Sequence, residues 1–87
     1  MHPYDISAAL KKAGSSQAKV ARSFAEHGEK PVTHAAVHMV VSGRGSSARI
    51  ARRISELAHV PVARLWPGRY PDLVDEQDAV RAKALRR

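Results

Sequence analysis

The chain has no cysteine, which removes disulfides and thiolate metal sites from the means of holding it together. Aromatic residues are scarce too, with one Trp, one Phe and two Tyr in 87 residues, so a core has to be built mainly from aliphatic side chains. No apolar run approaches the roughly 20 residues that a membrane-spanning helix needs. The opening Met1-His2-Pro3-Tyr4-Asp5 lacks the basic-then-apolar order of a signal peptide. A soluble cytoplasmic protein is expected. Acids are few and scattered, which leaves no paired-carboxylate site, and Ser15, Ser16, Ser46 and Ser47 sit at helix starts where capping explains them. Gly43-Arg44-Gly45-Ser46-Ser47 lacks the Lys and the spacing of a phosphate-binding loop. Neither an enzyme nor a cofactor nor a small-molecule substrate is expected.

What is present in excess is positive charge. Fifteen Lys and Arg stand against eight Asp and Glu, for a formal net charge of +7. From Asp72 onward the acids Asp72, Asp75, Glu76 and Asp78 balance the bases Arg81, Lys83, Arg86 and Arg87, so the whole excess lies in residues 1–71. A compact basic unit favours a polyanion: DNA, RNA or an anionic membrane surface. The expected organisation is one domain over residues 1–71 and a weakly helical or flexible tail over 72–87.

The remaining pattern is helical throughout. Pro3 suits a first helical position, and Ile6, Ala9, Leu10 and Ala13 form an inward stripe that Gly14 ends. A second helix starts near Gln17 after Ser15-Ser16, with Val20, Ala21 and Phe24 inward and Lys19, Arg22 and Ser23 outward, and stops at Gly28. Thr33 caps a third helix that Gly43 terminates. At 100° per residue its Ala36, Val37, Val40 and Val41 fall on one side, and His34, Ala35, His38, Met39 and Ser42 on the other. A fourth helix, capped by Ser46 or Ser47, turns Ile50, Ile54, Leu57 and Ala58 inward and Arg49, Arg52, Arg53 and Glu56 outward. One more turn fits Ala63–Trp66 before Pro67-Gly68-Arg69-Tyr70-Pro71, and Trp66 reads as a core residue closing a lid. No alternating strand is visible. The expected fold is all-α, with four or five helices and a C-terminal helical or frayed tail.

The third helix carries the functional expectation. Its outer side shows small and hydrogen-bonding side chains, no acid occurs from Val32 to Ser55, and Arg44 follows at once. A helix of this kind fits the DNA major groove. His34 and His38 can donate to guanine or accept from an exocyclic amine, while Ala35 and Met39 can touch thymine methyls. The same two histidines, one turn apart, could share a zinc ion, but no Glu stands between them in the His-Glu-x-x-His sense and no cysteine completes the set. No metal site is expected.

Gln17-Ala18-Lys19-Val20-Ala21 with Val32-Thr33, Val37, Val40 and Gly43-Arg44 resembles the helix-turn-helix of lambda-repressor-like DNA-binding domains. The flanks, His2-Pro3-Tyr4-Asp5-Ile6 with Leu10-Lys11-Lys12-Ala13-Gly14 and the ending Leu65-Trp66-Pro67-Gly68-Arg69-Tyr70, resemble the Ner-type regulators of temperate phages. The resemblance implies a sequence-specific repressor acting on double-stranded DNA at the bacterial nucleoid, as a monomer or a homodimer. By position it implies that Gln17 and Thr33 touch phosphates, that His34, Ala35, His38 and Met39 face base edges, and that Arg44, Ser47 and Arg49 hold the backbone beyond the helix. One departure is plain. The span from Ala21 to Val37 is about six residues too long for the usual turn of three to four, so either the second helix runs longer or the Gly28–Pro31 turn is expanded. The alternatives are a nonspecific basic nucleic-acid-binding protein and a protein-interaction module that docks a partner through Val41 and Met39 or through the tail.

Overall fold

A computed structural model describes residues 1–85; Arg86 and Arg87, the last two residues of the expected tail, lie outside the described residues. The first four helices each begin where the sequence supplies a side-chain cap. α1 (Pro3–Lys12) starts on His2, whose Nδ1 accepts from the Tyr4 amide at 3.0 Å. α2 (Gln17–Glu26) starts on Ser16, whose hydroxyl oxygen accepts from the Lys19 amide at 3.1 Å. α3 (His34–Ser42) starts on Thr33, which accepts from the Ala36 amide at 3.1 Å, and ends on Gly43 at φ 79°. Of the two serines that could open α4 (Ala48–Ala58), it is Ser47 that accepts from the Ile50 amide, at 3.3 Å. α5 (Val62–Leu65) is a single turn, and α6 (Pro71–Leu85) closes the chain. There is no strand among the described residues.

The stripes meet as the periodicity requires, except that Ala13, expected inward, is the C-cap of α1 and is exposed where the helix has ended. Ile6 and Leu10 of α1, Val20 and Phe24 of α2, Val37 of α3, Ile54 of α4, and Val62 and Leu65 of α5 are wholly buried. α3 lies against α2, α1 and α4, and α1 lies across α4. Trp66 seals this core and meets Tyr70 edge to face, with ring centroids 5.5 Å apart.

Two helix faces differ from their expected orientation. Ser23 of α2 is buried instead of outward; its hydroxyl donates to the Val20 carbonyl at 2.6 Å and receives Arg53 Nη1 at 2.8 Å. Arg49 and Arg53 of α4 turn inward, each guanidinium lying about 4.5 Å from the Phe24 ring centroid. A long side chain reaches its partner over an apolar neighbour, so its helical angle alone does not say where its head goes.

α6 is a continuous helix, the helical one of the two forms expected for the tail. Its first turns are held by Leu73 in the core, by Glu76 paired with Arg52 at 2.8 Å, and by Gln77. The Gln77 amide accepts from the Val62 N–H at 2.9 Å and donates to Ser55 Oγ at 3.0 Å. The boundary drawn after residue 71 on charge thus falls in the first turn of a helix rooted in the core. Beyond Gln77 the helix projects, with Val80 and Leu85 exposed.

Candidate nucleic-acid interface

α3 sets its two faces by what each side can bury. Val37, Val40 and Val41 are in the core and Ala36 packs against it. His34, Ala35, His38 and Met39, the four residues expected on base edges, are all exposed and lie on one surface. Ser42 folds back onto its own helix, donating to the Met39 carbonyl at 3.1 Å.

The connection from α2 to α3 is the expanded one of the two alternatives: residues 27–33 form the turn. It is fastened from outside. Arg49 Nη2 donates to the Lys30 carbonyl, and Arg53 Nη2 donates to the Glu29 carboxylate. Arg53 adds the Ser23 hydroxyl at 2.8 Å and the Glu56 carboxylate at 3.7 Å. Two arginines one turn apart on α4 therefore grip Phe24 of α2 and the backbone that follows it, which fixes how α3 leaves α2.

The loop after α3 is fastened in the same way. The Met39 carbonyl accepts from the Arg44 and Gly45 amides, both at 3.0 Å. Arg69 crosses from the far end of the chain to donate to the Gly43 carbonyl at 3.1 Å and to Ser46 Oγ at 2.7 Å. The Ser47 amide donates to the Tyr70 hydroxyl at 3.3 Å. Tyr70 takes a left-handed backbone, φ 54°, to bring that hydroxyl round, a conformation that a bulky residue adopts only when its surroundings compel it.

The five residues expected on phosphates are therefore in unequal situations. Arg44 is exposed and is in none of the ion pairs among the described residues. Thr33 is exposed, and its hydroxyl proton has no acceptor among the described residues while its oxygen caps the helix. Ser47 is half-buried and occupied as a cap and by Tyr70. Arg49 is half-buried, with one amino group on Lys30. Gln17, also half-buried, donates to Ser7 Oγ at 3.0 Å and sits 3.3 Å from His38 Nδ1 through its carbonyl oxygen, so it links α1, α2 and α3.

Two cations missing from the expected set lie beside the same surface. Arg22 shares a shallow apolar depression with Ala18, Ala21, Val32 and His34, so it flanks the start of α3 as Arg44 flanks its end. Arg69 stands over the C-terminal cap of α3, its Nη1 at 3.4 Å from where a Cβ on Gly43 would lie. Arg22 follows the helical period of α2 and was legible as outward; its nearness to His34 depends on the expanded turn. Arg69 had a signal only in the Leu-Trp-Pro-Gly-Arg-Tyr ending.

A buried-backed, acid-free helix held at both ends by its neighbours, with cations at each end, defines a helix-turn-helix DNA-binding domain. The chain belongs to the winged helix-turn-helix DNA-binding family, whose model matches residues 1–83. No curated protein and no solved structure matches it. The β-hairpin that the word winged denotes is not formed among the described residues, which contain no strand; the Arg69–Tyr70 strap lies against the loop that follows α3. No helix among the described residues is long and apolar enough to cross a membrane.

Proposed function

We propose that the protein is a sequence-specific transcriptional regulator of the Ner-like phage or prophage repressor type, which seats α3 in the major groove of double-stranded DNA at the bacterial nucleoid. The observation that carries this reading is the exposed surface of His34, Ala35, His38 and Met39, backed by three buried valines and bracketed by Arg22 and Arg44. The histidines supply polar contacts to base edges, and Ala35 and Met39 supply apolar contacts to thymine methyls. Arg44 neutralises a phosphate at one end of the helix, and the Thr33 hydroxyl donates to one at the other. Ser47 and Arg49 act mainly by setting the position of the loop and turn, with backbone amides at the start of α4 open to phosphate oxygens. Regulation requires no chemical transformation, and none of these residues is given one.

Selecting bound duplexes from a random pool tests the reading. A single enriched site is expected, and a palindromic site with half-sites one helical turn apart would assign a homodimer. Equal binding to enriched and random duplex at one salt concentration would instead mark a nonspecific coater. No duplex binding at physiological salt would mark a protein-interaction module.

A further inference from the structure

The side chain of Gln17 joins two partners of different kinds. Its Nε2 donates to Ser7 Oγ at 3.0 Å, and that places its carbonyl oxygen, a pure acceptor, 3.3 Å from His38 Nδ1. An acceptor facing Nδ1 requires the proton there. A neutral imidazole carries one N–H, so Nε2 is left with a lone pair. His38 is exposed and belongs to the surface of α3 that shows His34, Ala35 and Met39.

We infer that Gln17 is a positioning residue that sets what His38 reads: with Nδ1–H held by Gln17, His38 presents an acceptor and selects an amine-bearing base, adenine through N6 or cytosine through N4. Guanine offers only acceptors, O6 and N7, at the major-groove edge and is rejected by a lone pair facing it. The selectivity thus originates in α1, where Ser7 orients the Gln17 amide, and reaches the groove through two hydrogen bonds. This inference rests on α3 being the DNA-reading helix; the tautomer itself does not.

Ring-nitrogen chemical shifts of the free, 15N-labelled full chain at neutral pH read the tautomer without DNA. The protein is expected to carry the His38 proton on Nδ1, and Gln17→Ala is expected to move the population toward Nε2–H. Ser7→Ala, which frees the amide to turn over, shifts it the same way. Gln17→Glu, whose carboxylate can only accept, keeps the proton on Nδ1. Random-pool selection then reads the consequence. The position whose preference His38→Ala abolishes favours adenine or cytosine over guanine by about tenfold. Gln17→Ala reduces that preference to about twofold or turns it toward guanine. A His38 proton on Nε2 in the unmodified protein, or shifts unmoved by Gln17→Ala, overturns the inference. Expected shifts with no enriched site overturn the DNA reading, and the base preference falls with it. An enriched site whose His38-dependent position prefers guanine overturns the inference alone.

Discussion

Arg53 is the residue on which most of the local geometry converges. Its guanidinium meets the Phe24 ring, the Ser23 hydroxyl and the carboxylates of Glu29 and Glu56, and its side chain is only 15% exposed. Arg53→Ala is expected to destabilise the fold by roughly 2–3 kcal/mol in chemical denaturation, because a shielded charge-assisted network and a ring contact go together. Arg52, whose pair with Glu76 is about half exposed on both sides, should cost under about 1 kcal/mol on the same change. Under the proposed function, Arg44 belongs to binding instead. Arg44→Ala should weaken all duplexes alike and lower the magnitude of the slope of log K against log salt by about 1, whereas His34→Ala or Met39→Ala should relax one or two base positions at a cost of about 1–3 kcal/mol each. The apolar residues declared themselves in the sequence because burial repeats with the helical period. Ser23, Arg49 and Arg53 did not, since Ser23 is met by Arg53 of α4 and the two arginines are drawn to the Phe24 ring of α2 and to the turn that follows it.

At the level of the elements, α3 was legible from Thr33 to Gly43 because cap, stripe and stop agree on one register. The expanded turn was legible as a surplus of residues but not as a shape, for its fastening comes from α4. Gly43→Ala should destabilise by about 1–2 kcal/mol, since its left-handed backbone penalises a Cβ. Thr33→Ala should cost about 1 kcal/mol by removing the cap at the other end. If the two caps also hold the reading face in place, both variants weaken duplex binding by more than their loss of stability explains, which titration well below the melting temperature checks. For α6 the sequence showed too little apolar surface to forecast order, and its anchor proves to be one apolar residue, Leu73, supplemented by the polar Gln77. Amide exchange should be slow through residue 77 and fast beyond it, where exposed Val80 and Leu85 bury nothing.

For the whole molecule, the sequence charge already pointed to a polyanion, and the helices arrange part of that charge around one face. If the domain grips several phosphates, raising salt from about 50 to about 200 mM should cost a factor of roughly 10²–10³ in affinity, less steeply than larger dimeric repressors. Gln77→Ala should leave that salt slope unchanged while lowering the melting temperature, because the contacts it makes lie between α4, α5 and α6.

Tyr70 is the residue immediately before Pro71, the first of α6, and its hydroxyl is the acceptor for the amide of Ser47. A tether, a neighbouring subunit or a further stretch of polypeptide pulling on the projecting rod hard enough to load its Leu73 and Gln77 anchors would therefore pass the strain, with no intervening residue, to the loop that follows α3. The loop that follows α3 and the start of α6 are mechanically joined through two adjacent side chains, Arg69 and Tyr70.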